Sequence, residues 1–370
     1  MPGFQLMTMS ILLRRLTLWL MLAAALVGCA TEGFQAGATG SDGAAEPSAT
    51  AFLAQYVLPD GRVTRPDQGG DSVSEGQAYG LLLAEAAGRP DVFGRVWQWT
   101  RVHLQLPTGL FAYHANAAGR VLSAQPASDA DLLIAWALLR YQGSGAASFH
   151  QAGQQVAAAV LAGEVTSGPG GTSILAAGPW ATGRPATLDP SYWALPALTS
   201  LAQLTGNPQW QQLAYGAVAL TDQLTADGRK LPPDWADLTP AGTLTPVPAP
   251  NGSETQAEYG LDAQRTVLWF AASCEPQARE LASRWWTLLR QPGRAKALAL
   301  GPGGAILNRA TNPLPLTAAA AAAQAAGQPG ARRQLLQSAA AQQRSHRTYY
   351  GGAWAALAPA LLSGALGSGC

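Results

Sequence analysis

The sequence predicts an all-α protein in which an outer ring of helices surrounds an inner ring, an α/α toroid. Apolar residues recur with helical spacing from Ala51 to near the C-terminus, and no alternating strand pattern is longer than a few residues. Several helical segments are apolar on nearly all sides, as expected of helices that are buried between others. An α-solenoid is the alternative, but the chain shows no repeat with a period of roughly 34 to 47 residues.

This spacing predicts about twelve helices, separated by loops that carry most of the glycine and proline. The predicted helices are Ala51–Val57, Ser74–Ala87, Val92–Leu104, Ser128–Tyr141, Ala146–Leu161, Ser191–Leu204, Pro208–Leu224, Tyr259–Ser273, Pro276–Leu289, Thr317–Ala326, Ala331–Gln343 and Thr348–Leu362. Two loops are long, Gly163–Pro190 and Pro240–Thr255. Loops of that length often form the walls or lids of a functional site.

The N-terminus has the pattern of an export signal. Arg14 and Arg15 precede an apolar run, residues 16–27, that is too short for a membrane span and has signal-peptide proportions. The run ends in Leu-Val-Gly-Cys, which resembles a bacterial lipobox. By that resemblance residues 1–28 are a lipoprotein signal peptide and Cys29 is the lipid-modified first residue of the mature chain. An ordinary cleaved signal with a chance cysteine is the alternative.

The segment after Cys29 is composed of small residues and predicts a flexible tether over residues 29–49. Residues 50–370 are then one globular domain, which we expect to be monomeric. Because Ala30 and not Asp follows the cysteine, the lipobox resemblance implies anchoring at the outer membrane, with the domain in the periplasm.

Composition excludes several classes of function. Lys and Arg number 23 against 22 Asp and Glu, and no basic cluster occurs, which argues against a nucleic-acid partner. Three cysteines and four histidines show no metal-ligand spacing, so we expect no metal and no cofactor. Hydrophobic residues make up 48% of the chain, enough for a sizeable core.

Three acidic motifs precede apolar helices. The first is Glu75, followed by Gly76 and Gly80. Glycine in a helix costs about 1 kcal/mol relative to alanine, so we expect another group to approach the backbone closely there. Alternatively, Ser72-x-x-Glu75 is a capping box, and the carboxylate caps its own helix. The second motif is Ala-Ser-Asp-Ala-Asp, with Asp129 and Asp131, where Ser128 or Asp129 suits a helix N-cap.

The third motif pairs Asp262 with Arg265, three residues apart ahead of an apolar run, so we expect the pair to be partly buried. Carboxylates at the starts of inner helices would converge on one rim of the ring. Two carboxylates that face each other across a groove are what hydrolysis of a glycosidic bond requires. Aromatic residues in or beside the loops would stack on sugar rings, although any single one is more often core: Tyr113, Trp180, Tyr192, Trp193, Trp235, Tyr349 and Tyr350.

The motifs, taken in order, resemble family 8 of the glycoside hydrolases. They are Ser-Glu-Gly-Gln-Ala-Tyr-Gly from residue 74, Ala-Ser-Asp-Ala-Asp from 127, Asp-Pro-Ser-Tyr from 189, Pro-Asp-Trp from 233 and Asp-Ala-x-Arg from 262. The resemblance implies a six-hairpin (α/α)6 toroid. It also implies hydrolysis of β-1,4-glucans or related polymers with inversion, and a link to the synthesis and export of cellulose-like polysaccharide.

The resemblance also implies individual roles. Glu75 matches the general acid, Asp262 the general base, and Asp129 the third acidic residue, which holds and distorts the sugar. Tyr192 and Arg265 match residues that line the site, and Tyr113 lies near the position of a stacking tryptophan. Two neighbours in these motifs, Asp131 and Trp193, are further candidates for substrate binding.

A general acid must keep its proton near neutral pH, but Glu75 lies at a helix start, whose dipole lowers its pKa. Burial and repulsion from Asp129 are the larger effects, so we expect a raised pKa.

Two departures from the family pattern keep other functions open. The residue before the base is Leu261, where the family commonly has tyrosine, and Asp189 replaces an asparagine. A catalytically weak sugar-binding subunit of a polysaccharide-export assembly is therefore one alternative, and a chitosanase or xylanase of the same family is another. A polysaccharide lyase on the same toroid would need a tyrosine or histidine base in place of the carboxylate pair.

Overall fold

A computed structural model describes residues 45–366, and twelve α-helices form its framework. They are α1 Ala45–Tyr56, α2 Ser74–Ala86, α3 Pro90–His103, α4 Ser128–Arg140, α5 Ala146–Gly163, α6 Leu195–Thr205, α7 Gln209–Leu224, α8 Leu261–Ala271, α9 Pro276–Leu289, α10 Pro313–Ala325, α11 Pro329–Ser345 and α12 Tyr349–Leu362. Each predicted helix overlaps one of these. Several starts were misplaced because proline occupies the first helical turn, as in α3, α10 and α11.

The even-numbered helices form the inner ring. Each of them contacts the next even-numbered helix, and α12 contacts α2, so the ring closes. The odd-numbered helices pack outside, with α3, α5, α7, α9 and α11 against the helices that precede them and α1 against α12. The predicted (α/α)6 toroid is therefore confirmed.

Hydrophobic patterning explains which helices lie inside. In α4 every residue except Arg140 is buried, and α10 buries an unbroken run of alanines from Ala318 to Ala323. By contrast, α11 buries only Ala339 and exposes its polar side chains. All-round apolar helices therefore occupy the inner ring, and helices with a polar face form the outer one.

Short antiparallel strands connect the helices in four small sheets within the described residues. The strands are β1 Ser72–Val73, β2 His114–Ala115, β3 Val121–Ser123, β4 Val165–Ser167, β5 Ser173–Leu175, β6 Ala186–Leu188, β7 Trp235–Leu238, β8 Leu244–Val247, β9 Ala299–Leu300 and β10 Ile306–Asn308. Strand β1 leads directly into α2, and β6 leads through a turn of 3₁₀ helix, Pro190–Tyr192, to α6. The strands thus fix the loops that precede inner helices.

The folded domain begins earlier than the sequence predicted. Helix α1 starts at Ala45, inside the expected tether, and Ala49 is fully buried. Alanine is the best helix former, so the small residues that indicated a tether also suit a helix once α12 packs against it. The predicted signal peptide and Cys29 lie outside the described residues. Among residues 45–366, no helix combines the length and the hydrophobicity needed to cross a membrane.

Candidate active site

A cleft of about 960 Å³ opens where the inner helices begin. Six of the predicted site residues line it: Glu75, Tyr113, Asp129, Tyr192, Asp262 and Arg265. The three carboxylates occupy equivalent places, because Glu75, Asp129 and Asp262 are each the second residue of an inner helix, α2, α4 and α8. The predicted convergence of helix starts on one rim is therefore observed.

Arg265 lies at the centre of the carboxylates. Its Nη1 atom donates to Oε1 of Glu75 at 2.7 Å and to Oδ2 of Asp129 at 3.0 Å. Its Nη2 atom donates to Oδ1 of Asp262 at 2.8 Å and to Oγ of Ser191 at 2.6 Å. Arg265 is 2% exposed and the Asp262 side chain is 34% exposed, so the predicted partial burial of the pair is confirmed.

The arginine also limits the separation of the proposed acid and base. Because one guanidinium group bridges them, the bonded oxygens of Glu75 and Asp262 lie within about 8 Å of each other. That is below the upper limit of roughly 9.5 Å for the carboxyl groups of an inverting glycosidase. This limit includes the range of roughly 6.5–9.5 Å of inverting enzymes up to about 8 Å, and it also includes the roughly 5–5.5 Å of retaining ones.

Burial raises the pKa of Glu75 to about 7. Arg265 opposes this increase, the nearby Asp129 charge adds to it, and a hydrogen bond from the Tyr79 hydroxyl, 2.7 Å from Oε1, lowers the pKa again. A carboxyl with such a pKa still carries its proton in a large fraction of molecules at neutral pH, as a general acid must. The raised pKa that the sequence predicted is confirmed.

Glu75 does not cap its own helix. Val73 is the N-cap of α2 and makes no side-chain cap bond, while Glu75 bonds to Arg265 and Tyr79 instead. The capping-box alternative is therefore wrong. The close approach predicted at the neighbouring glycine is real, because a Cβ atom built on Gly76 would lie 2.6 Å from the Tyr349 hydroxyl oxygen.

Asp189, which replaces the family's asparagine, lies beneath the cluster and is fully buried. Its Oδ1 atom accepts hydrogen bonds from the backbone N–H of Ser191 at 2.8 Å and from the Ser191 hydroxyl at 2.6 Å. The Oδ2 atom has no hydrogen-bond partner and lies 3.7 Å from Nη2 of Arg265. Burial raises the pKa of Asp189 well above its ordinary value, and repulsion from Asp262 adds to the increase.

Asp131 and Trp193 do not line the cleft, and the expectation that they bind substrate is not supported by their positions. Asp131 is fully buried, accepts a hydrogen bond from the backbone N–H of Phe111 at 2.8 Å, and pairs with the buried carboxyl of Glu164. Trp193 is 1% exposed and donates from Nε1 to the Leu175 carbonyl at 2.8 Å. Both side chains point into the protein interior.

Aromatic rings form part of the cleft walls. Tyr113 and Trp180 line the cleft and are 41% and 43% exposed, so both residues are accessible to a ligand. Tyr192 lies 5.3 Å from the Arg265 guanidinium, measured to the ring centroid, and its ring contacts that of Trp235. Leu261, the other departure from the family pattern, lines the cleft next to Asp262.

Two residues of the quoted motifs have evident roles that were not assigned from the sequence. Tyr79 bonds to Glu75, and their i,i+4 spacing on a helix was a usable signal. Asp234, in the Pro-Asp-Trp motif, accepts hydrogen bonds from the start of α8, a contact that spans 29 positions to Ala263 and that the motif does not indicate. Together with Glu254 and Glu258 it presents carboxylate oxygens within 4.8 Å of one another, a grouping whose chemistry suits a cation.

An (α/α)6 toroid whose cleft holds convergent carboxylates and partly exposed aromatic rings has the architecture of a glycoside hydrolase. The comparisons with known proteins agree with this class. A sequence profile of glycosyl hydrolases family 8 matches residues 23–356. The chain belongs to this family.

The curated relatives are endoglucanases by name. The chain is 30% identical over 250 residues to a probable endoglucanase of Novacetimonas hansenii, covering 64% of this chain and 70% of the relative. It is 30% identical over 225 residues to an endoglucanase of Cellulomonas uda, covering 60% of this chain. That match spans only 61% of the Cellulomonas protein.

Solved structures share the fold over most of the chain. An endo-β-1,4-glucanase from Acetobacter xylinum superposes with a TM-score of 0.68 at 27% identity, covering 85% of this chain and 96% of that structure. A family 8 endo-β-1,4-glucanase from an Achatina fulica gut metagenomic library gives a TM-score of 0.69 at 25% identity, covering 84% and 95%.

Proposed function

We propose that the protein is an inverting endo-β-1,4-glucanase that cleaves internal bonds of a cellulose-like β-glucan. The observation that carries the proposal is the bridge of Arg265 between Glu75 and Asp262 in an open cleft. The endo-β-1,4-glucanases that share the fold support the choice of bond. An open cleft also suits attack within a polymer chain.

In the proposed mechanism Glu75 is the general acid and protonates the oxygen of the leaving sugar. Asp262 is the general base and takes a proton from a water molecule, whose oxygen attacks the anomeric carbon from the opposite face. Asp129 holds the sugar at the point of cleavage, and Tyr113, Tyr192 and Arg265 contact the sugars. After the product leaves, Asp262 releases the proton it took to solvent and Glu75 regains a proton from solvent, which restores the starting state.

Incubation with soluble carboxymethylcellulose tests the proposal. We expect new reducing ends and a steep loss of viscosity, because internal bonds are cut. In cello-oligosaccharide hydrolysis, NMR should show the α-anomer first, since one displacement inverts a β-linkage. Initial release of the β-anomer would contradict the proposed mechanism.

The variant Glu75→Gln separates an enzyme from a sugar-binding subunit. The amide keeps the size of the side chain but cannot supply a proton, so hydrolysis should fall by at least about 10²-fold. Binding of cello-oligosaccharides should change little, because aromatic rings such as Tyr192 contribute much of it. If the unmodified protein binds these sugars but releases no reducing ends, the binding-subunit alternative holds, and recovery of turnover by Leu261→Tyr would locate the defect beside Asp262.

Hydrolysis of chitosan is a second candidate activity. Glu254 and Glu258 line the cleft and lie near Asp234, so this wall is acidic. Protonated glucosamine units would be attracted to such a wall. Turnover of chitosan well above that of carboxymethylcellulose at equal polymer concentration would favour this candidate, and xylan completes the comparison.

We further propose that the protein is exported, anchored to the outer membrane through Cys29, and serves the secretion of a cellulose-like polysaccharide, in contact with its synthesis or export complex. Cys274 is disulfide-bonded, which is typical of an oxidising compartment such as the periplasm. Cys29→Ser should release the protein from the membrane fraction and leave its soluble activity intact. Unchanged fractionation would indicate another mode of retention.

A further inference from the structure

Helix α8, which carries Asp262, begins without a cap of its own. Its N-cap residue is Gly260, which has no side chain to accept hydrogen bonds from the first turn. The first backbone N–H groups of any helix lack partners within the helix. An uncapped start frays, and Asp262 is the second residue of this start. A group outside the helix must therefore accept hydrogen bonds from these N–H groups.

Asp234 provides that cap from a distant part of the chain. Its Oδ1 atom accepts hydrogen bonds from the backbone N–H of Gly260 at 3.0 Å and from that of Ala263 at 2.5 Å. These two N–H groups lie on either side of Asp262 in the sequence. A carboxylate at this position is also favoured by the positive end of the helix dipole.

Asp234 is itself fixed in place. It is 2% exposed, and its backbone N–H donates to the Glu258 carbonyl at 2.8 Å. Strand β7 begins at the next residue, Trp235, and pairs on both sides with β6 and β8. The capping carboxylate is thus attached to a sheet and not to a free loop.

Gly260 leaves the space that this arrangement needs. A Cβ atom built on Gly260 would overlap Oδ2 of Asp234 and lie 3.0 Å from Oε1 of Glu258. The φ angle of Gly260 is −104°, which any residue adopts, so its small size and not its flexibility is what matters. Any larger residue at 260 would displace the capping carboxylate.

We propose that Asp234 is a positioning residue that fixes the start of α8 and thereby aims the Asp262 carboxylate into the cleft. The inference rests on the proposed role of Asp262 as general base. The Asp262 side chain is 34% exposed and accepts a hydrogen bond from Arg265 at 2.8 Å, so its direction depends on that contact and on the backbone that carries it. Asp234 fixes the position of the Asp262 backbone and does not itself touch the reacting atoms.

Two substitutions at one position test the proposal. Asp234→Ala removes the cap, and kcat on carboxymethylcellulose should fall by at least about 10-fold while KM changes less than about 3-fold, because misplaced catalytic groups lower turnover. Asp234→Asn retains the acceptor oxygen, and asparagine caps helices as well as aspartate does. It should therefore keep kcat within about 3-fold of the unmodified enzyme.

A third variant approaches the same contact from the other side. Gly260→Ala should reproduce the kcat defect of Asp234→Ala. Combining the two should cause little further loss, because the added methyl group has no carboxylate left to displace. Asn312→Ala is the matched control: Asn312 caps α10 by accepting from the Leu314 N–H, and its loss should lower stability without lowering kcat.

Hydrogen exchange of the backbone N–H groups of residues 260–264 gives a readout that does not depend on activity. Exchange should accelerate in Asp234→Ala and stay slow in Asp234→Asn. An active enzyme whose Asp234→Ala variant keeps kcat and slow exchange would overturn the proposal. If the unmodified protein hydrolyses nothing, the proposed function fails, and unchanged exchange in Asp234→Ala would reject the positioning role separately.

Discussion

The Nη1 atom of Arg265 lies 2.7 Å from Oε1 of Glu75, although the two residues are 190 positions apart in the chain. The same guanidinium contacts Asp129 and Asp262, so one cation serves three carboxylates that line the cleft. Burial of so many acids would be costly without it, because each would otherwise be an unpaired charge. Arg265 therefore links the stability of the site to its chemistry.

Replacing Arg265 should separate these two contributions. Arg265→Met leaves the buried carboxylates uncompensated and should destabilise the protein by about 3–5 kcal/mol, measured by urea denaturation. Arg265→Lys keeps a charge, but an ammonium group cannot reach the two sides of the cluster as a planar guanidinium does. It should fold, yet lose at least about 10-fold in kcat.

Arg284→Lys is the control for that substitution. Arg284 also pairs with two carboxylates, Asp227 and Glu280, but its side chain is 39% exposed, and surface pairs contribute little. Neither stability nor turnover should change measurably. Full activity in Arg265→Lys would show that charge alone, without the bridging geometry, is sufficient.

Tyr79→Phe should move the alkaline limb of the pH profile of kcat/KM upward. With Glu75 as the proposed general acid, activity should require its protonated form and be lost as the pH rises through its pKa, which is about 7. The Tyr79 hydroxyl donates to the carboxylate form and so lowers that pKa. Its removal raises the pKa, and activity persists to higher pH. Tyr215→Phe, at a position that is 58% exposed, should leave the profile unchanged, and a limb displaced to lower pH would contradict the assignment of Glu75 as acid.

The sequence was sufficient for the fold and for the centre of the site because their signals are local. Helical periodicity located the helices, and an acidic residue before an apolar run recurred at each inner helix that supplies a carboxylate. The spacing of Asp262 and Arg265 also predicted their contact, since residues three apart lie on one helix face.

Other features depend on helix geometry or on tertiary contacts. Asp131 follows Asp129 by two positions, and residues at i and i+2 of a helix do not face the same way, so only one of them can line the cleft. Asp234 reaches Ala263 across 29 positions, and nothing near it in the sequence indicates a partner. The hydrogen bond of Trp193 to Leu175 likewise forms only after the loop before α6 has folded.

Glu164→Gln should reduce the pH dependence of stability. The pKa values of Glu164 and Asp131 are raised well above their ordinary values, chiefly by burial, so the folded protein binds more protons here than the unfolded chain. The resulting stabilisation is complete below the unfolded pKa, near 4, and is lost as the pH rises toward the folded values. An amide at position 164 donates a hydrogen bond without titrating.

Urea denaturation at pH 5 and pH 8 measures this effect. The free energy of unfolding should fall less between the two pH values in Glu164→Gln than in the unmodified protein. Glu280→Gln is the control, because its side chain is 62% exposed and should leave the difference unchanged. An equal or larger fall in Glu164→Gln would mean that the pair does not hold the extra proton.

Asp189→Asn should leave both turnover and the pH profile nearly unchanged, although it removes an ionisable group next to Arg265. Asp189 is fully buried, and burial raises its pKa well above the ordinary value, which favours the uncharged form that asparagine imitates. Asparagine keeps the acceptor that binds the Ser191 N–H and hydroxyl, and the Ser191 oxygen in turn receives Nη2 of Arg265. Asp189→Ala loses that acceptor, releases Ser191, and should lower kcat by about 10-fold through the displaced guanidinium. If Asp189→Asn instead shifts the kcat/KM profile, Asp189 is ionised in the folded enzyme and shares the charge of Arg265 with Glu75, Asp129 and Asp262.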